Sequence, residues 1–85
     1  NGKLLYLQAQ AQYGSAKYDQ AIQTLEQLIR SGVDTKARAK YSFMLGMAAK
    51  RTGDLVKAEE GFKAAMYGPY KPAAQTELTK LAEKG

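Results

Sequence analysis

The groups best able to do acid–base chemistry in this chain are its eight carboxylates: Asp19, Glu26, Asp34, Asp54, Glu59, Glu60, Glu77 and Glu83. A general acid and a general base must converge on one reacting atom. Glu59 and Glu60 are sequence neighbours, and on a helix they point about 100° apart, so they form no paired site. Histidine and cysteine are both absent. That removes a histidine base, a Ser-His-Asp triad, His- or Cys-ligated metals and any disulfide. No glycine-rich phosphate cradle and no calcium-loop spacing occurs. The expectation is a protein that is not an enzyme and has no catalytic, cofactor-binding or metal-binding residues. Its carboxylates then serve as helix caps and solvated charges.

Recognition chemistry is better represented. Thirteen basic residues against eight acidic ones give a net charge of +5, which favours acidic partners weakly and also serves solubility. Lys40, Phe43, Met47 and Lys50 follow one another at offsets of 3, 4 and 3, which is one stripe of a helix. Such a stripe pairs adaptable apolar contact with ammonium groups. The basic run Lys36, Arg38, Lys40 also raises nucleic acid. On a helix, however, Lys36 and Lys40 share a face and Arg38 turns away, and no single-strand-binding motif surrounds Tyr41 and Phe43. Nucleic acid is disfavoured on that ground.

These side chains must be positioned by helices. Gly14-Ser15, Ser31-Gly32, Thr52-Gly53-Asp54 and Gly68-Pro69 break the chain into five helical segments, roughly 3–14, 17–31, 35–52, 54–67 and 72–84. No alternating, β-branched run persists, so the fold class is all-α. The second segment places Ala21, Leu25, Leu28 and Ile29 on one face, and the fourth does the same with Leu55, Ala58, Phe62, Ala65 and Met66. The third is apolar on two sides, with Leu45 and Ala49 on one stripe and Phe43 and Met47 on another. A helix packed between two neighbours needs that pattern. Asp34 and Asp54 stand where N-caps belong, and Pro72 is a good first helical residue. Eighty-five residues make one small domain with a marginal core. No apolar run approaches the length of a membrane span, so no membrane insertion is expected. The chain opens on Asn1 without a basic-then-apolar leader, as an excised or processed piece would, and its compartment stays open between cytoplasm and periplasm.

Ala21 and Ala58 stand 37 positions apart in matching surroundings, a spacing typical of helical-hairpin repeats. The stretch Leu45-Gly46, Ala49, Gly53-Asp54, Ala58, Phe62, Ala65 resembles a tetratricopeptide repeat. In such a repeat Gly46 and Ala58 let two helices approach closely, Gly53 permits the turn, and Phe62 fills the gap to the next hairpin. The resemblance implies a helical-hairpin array: repeat 1 over about 3–33, repeat 2 over about 35–68, and a capping helix over about 72–84. Repeat 1 fits less well. Without a gap, Ala9 takes the small position and Gln8 and Gln12 fall where apolar residues are expected. One extra residue in the Gly14–Lys17 turn would instead put Leu4, Leu7 and Ala11 on the inner stripe. Both registers remain open at this point.

The resemblance also implies a function, non-catalytic binding of a protein or peptide on a concave face lined by the first helix of each hairpin. In repeat 2 that face carries Lys40, Phe43, Met47, Lys50 and Arg51. In repeat 1, in the ungapped register, it carries Lys3, Tyr6, Gln10 and Tyr13. A carboxylate-clamp subfamily is not matched, since Tyr6, Gln10 and Met44 replace three of its polar residues. The second expectation is structural. Arrays commonly need about three repeats, so the chain could be a section of a longer array or could self-associate through an unfinished end near Tyr67 and Tyr70.

Overall fold

In a computed structural model, residues 2–84 are described, and they fold into five α-helices. These are α1 (Gly2–Gly14), α2 (Tyr18–Arg30), α3 (Thr35–Thr52), α4 (Leu55–Ala64) and α5 (Lys71–Lys84), with a 3-10 turn at Gly68–Tyr70 before the last. Short connections make α1–α2 and α3–α4 antiparallel hairpins. α3 packs on both α2 and α4, as its two apolar sides require, and α5 closes the far side of α4. Among the described residues no helix is long and apolar enough to cross a membrane.

The helix ends follow from local chemistry. The Asp34 carboxylate accepts the Ala37 N–H at 2.8 Å, and the Asp54 carboxylate accepts the Lys57 N–H at 3.0 Å. Each satisfies an orphan donor of a first turn. α4 stops at Ala64, three residues earlier than the sequence pattern indicates. Gly68 turns left-handed, at φ +57°, and Pro69 bars the residue before it from the helical region. The 3-10 turn then restarts the chain, so α5 begins at Lys71 and Pro72 is its second residue.

The two hairpins turn in the same way. The Gly53 N–H bonds the Lys50 carbonyl at 3.2 Å, and the Asp54 N–H bonds the Ala49 carbonyl at 3.0 Å. Thirty-seven positions earlier, the Ala16 N–H bonds Tyr13 at 3.0 Å and the Lys17 N–H bonds Gln12 at 2.8 Å. Both are Schellman-type ends, and both place a left-handed residue at the same point, Gly53 at φ +86° and Ala16 at φ +62°. The two turns align at an offset of 37 with no gap. Ala9 is fully buried, as Gly46 is, whereas Leu4 and Leu7 are 65% and 51% exposed and Ala11 faces solvent. Ala21 and Ala58 are both fully buried.

The core is one cluster in which Leu25, Leu28 and Phe62 are the largest side chains with no exposure. Each such burial stabilises by about 1.5–3 kcal/mol. The second hairpin is the tighter one. A Cβ on Gly61 would lie 2.8 Å from the Gly46 nitrogen, 2.9 Å from its Cα and 2.9 Å from the Ser42 carbonyl oxygen. A Cβ on Gly46 would meet the Phe62 ring at 2.8 Å. The backbones of α3 and α4 therefore touch, with Phe62 wedged beside the contact. In the first hairpin Thr24 stands where Gly61 does, and its hydroxyl donates to the Gln12 side-chain oxygen of α1 at 2.8 Å.

Two predictions follow from these contacts. Gly61→Ala should cost about 2–3 kcal/mol in urea unfolding, because the methyl meets backbone that cannot step aside; an unchanged midpoint would refute the close crossing. Ala16→Gly combined with Lys17→Asp copies the Gly53-Asp54 turn into the first hairpin. It relieves a left-handed alanine and adds a cap to a helix that has no side-chain cap. The pair should stabilise by roughly 1–2 kcal/mol in the same measurement, and a loss of stability would contradict the equivalence.

Candidate functional site

α1 and α3 present adjacent stripes on one side of the molecule, and aromatic rings join them. The rings of Tyr6 and Tyr41 stand 5.2 Å apart and tilted by 44°. The Lys40 ammonium sits 4.3 Å from the centroid of Tyr6. A cation over a ring in a partly exposed place is stabilised by about 0.5–1 kcal/mol. Gln10 stands one turn beyond, close enough to act on the Tyr6 hydroxyl. That phenol is held above the usual tyrosine range, first by burial, then by the neighbouring phenols of Tyr70 and Tyr41. Gln10 opposes the shift, but Tyr6 stays neutral and able to donate a hydrogen bond.

The N-terminal end of α3 and the 3-10 turn form a shallow cleft of about 380 Å³ beside this group. Asp34, Lys36, Lys40, Tyr41, Pro69 and Tyr70 line it. The Asp34 carboxylate is engaged in capping α3. Among the described residues, neither Lys36 nor Lys40 has a carboxylate within ion-pair distance. Beside that capping carboxylate the cleft offers two ammonium groups and two phenols, donors that suit an incoming carboxylate.

The remaining residues of the expected face divide three ways. Phe43 turns largely inward, its ring 5.6 Å from Phe62 and 5.9 Å from Tyr70, and Met47 is half-buried. Lys50 does not offer a free charge, since its ammonium bonds the Glu77 carboxylate of α5 at 2.8 Å. Tyr13 and Arg51 form a separate group at the other end of the helices. Arg51 lies beside the Tyr13 hydroxyl, which raises the guanidinium pKa above its usual value, and Tyr13 packs edge-on to Tyr18 at 5.2 Å. Sequence reasoning missed Tyr41, Tyr70 and Glu77 as neighbours of this face. Tyr70 was expected at an unfinished end, and only the 3-10 turn brings it back over Phe43.

A second opening, on the side where α2, α3 and α4 meet, is lined by Glu26, Ile29, Arg38, Lys57 and Glu60. Lys57 and Glu26 bridge across it at 3.1 Å, so its charges are in part already satisfied. No protein-family model matches the chain, and no curated protein or solved structure matches it.

Glu77 anchors α5 electrostatically. Its carboxylate is held below the usual glutamate value of 4.5, first by the hydrogen bond from Lys50, with burial opposing and Lys80 assisting from 3.7 Å. A depressed folded-state value means the pair stabilises above about pH 4.5 and loses that effect as pH falls through the folded value. Glu77→Gln should therefore cost about 1 kcal/mol at pH 7, and the gap to the parent chain should narrow as pH falls below the usual glutamate value of 4.5. A gap independent of pH would sink the assignment.

Proposed function

We propose that the chain is a non-catalytic protein–protein interaction module of the tetratricopeptide type, and that it holds an acidic peptide segment along α1 and α3. The observation that carries the reading is the Lys40 ammonium poised over Tyr6 in the lining of a cleft, with no carboxylate among the described residues within ion-pair distance. A peptide carboxylate would lie between Lys36 and Lys40 and accept from the Tyr41 or Tyr70 hydroxyl. An apolar neighbour on the peptide would then cover the half-buried Met47. Tyr6 acts as a preformed floor with Gln10 beside it, because its ring contacts with Tyr41 and Lys40 exist before any partner arrives. Tyr13 and Arg51 mark the far end of the same track. The matched turns and paired buried alanines of the two hairpins support the repeat assignment.

A random dodecapeptide phage library panned against the immobilised chain tests this reading. Enriched peptides should carry Asp or Glu beside an apolar residue. Binding of a synthetic representative should fall about tenfold or more in Lys36→Ala/Lys40→Ala, the effect of losing a charge-assisted contact. It should also weaken as salt rises. Enriched peptides that bind the double variant equally well would refute the assigned face.

A further inference from the structure

We infer that the outer face of α1, formed by Leu4, Leu7, Gln8 and Ala11, is a second interaction surface, and that its occupant is an amphipathic helix with the stripe chemistry of α2. The warrant is the internal equivalence of the two hairpins. Thirty-seven positions on, these four residues correspond to Tyr41, Met44, Leu45 and Ala48 of α3. That side of α3 is covered by the preceding hairpin. Leu45 shares a cleft with Ile29 and Glu26 of α2, Ala48 is fully buried, and Tyr41 stacks on Tyr6 of α1. In α1 the same side is open, with Leu4 and Leu7 more than half exposed and Gln8 and Ala11 exposed.

The composition of α1 agrees. Lys3 is the only charged residue in its 13 positions, and apolar side chains surround the helix at Leu4, Leu5, Tyr6 and Leu7. A helix of that kind is normally packed on two sides. α5, which closes the opposite end, has five charged residues in 14, and it exposes Gln75, Thr76, Thr79, Lys80 and Glu83. One end of the molecule is thus finished with a polar face and the other is not. The polar outer side of α5 also makes a poor match for the leucines of α1 in a second copy. The helix that already covers this surface type within the chain is α2, which packs on α3 with Ile29 beside Leu45 and with Ile22 and Leu25 in the core they share. An incoming helix would run antiparallel to α1, as α2 runs to α3 across their short connection.

The test titrates the isotope-labelled full chain with a synthetic peptide of residues 17–33, which carries the α2 stripe, and follows amide shifts. Saturable shifts should map to Leu4, Leu7, Gln8 and Ala11, and Leu7→Lys should weaken binding at least tenfold. Ala11→Arg, at an exposed position, should do the same if Leu7→Lys disturbs the fold. A peptide with serine at Ile22, Leu25 and Ile29 should produce no shift. Absence of saturable shifts, or shifts confined to α3, α5 or the Lys40 cleft, would overturn the inference. So would concentration-dependent dimerisation that Leu7→Lys abolishes, because a second copy would then be the occupant. Shifts at Leu4, Leu7, Gln8 and Ala11 report on this surface and shifts at Lys36 and Lys40 on the peptide cleft, so the two stand or fall separately.

Discussion

The rest of the structure depends on the backbone contact between Gly46 and Gly61. Two helices normally keep 8–10 Å between their axes because side chains stand between them. Here there is no Cβ at either residue of the crossing, so α3 and α4 close until the next atom in the way is main chain. That closeness leaves a slot beside Gly46 that only a flat ring fills, and Phe62 occupies it with no exposure. Phe43 then packs on Phe62, and Tyr70 on Phe43, so the position of the 3-10 turn is inherited from the crossing.

The candidate binding face is a consequence of that chain of contacts rather than a separate device. α3 is gripped by α2 on one side and α4 on the other, which leaves its third side for Lys36, Lys40 and Met47. Tyr70 walls one end of that side because the turn after α4 carries it there. The ion pair from Lys50 to Glu77 ties α5 to the same helix. Lysines on one helix therefore have different tasks, and the difference lies in which neighbour reaches them. A carboxylate on α5 is within reach of Lys50. Among the described residues none is within reach of Lys40, which rests on an aromatic ring instead.

Much of this was legible in the sequence, and the parts that were not share a physical cause. Helix number, the N-caps at Asp34 and Asp54, the two-sided pattern of α3 and the burial of Ala21 and Ala58 all depend on local spacing, so they could be read directly. The register of the first hairpin could not. Its deciding feature is Ala16 in a left-handed conformation, where the other hairpin has glycine, and an alanine carries no signal for that geometry. Gly61 was unremarkable as a letter, because a glycine inside a helix reads as a weakness until its neighbour across the crossing is known. The Lys50–Glu77 pair spans 27 positions, and no periodicity links two such distant residues. The early end of α4 was hidden for a similar reason, since Gly68 and Pro69 act backwards on residues whose own propensities are helical.

Residue-resolved native-state hydrogen exchange tests the central claim most directly, namely that the α3–α4 crossing is the part around which the other helices assemble. The account predicts that amides of residues 46–49 and 58–62 exchange only through global unfolding, while those of α1, with one side open, exchange through local opening of lower free energy. Equal protection in α1 and α3, or exchange in α4 ahead of α1, would contradict it.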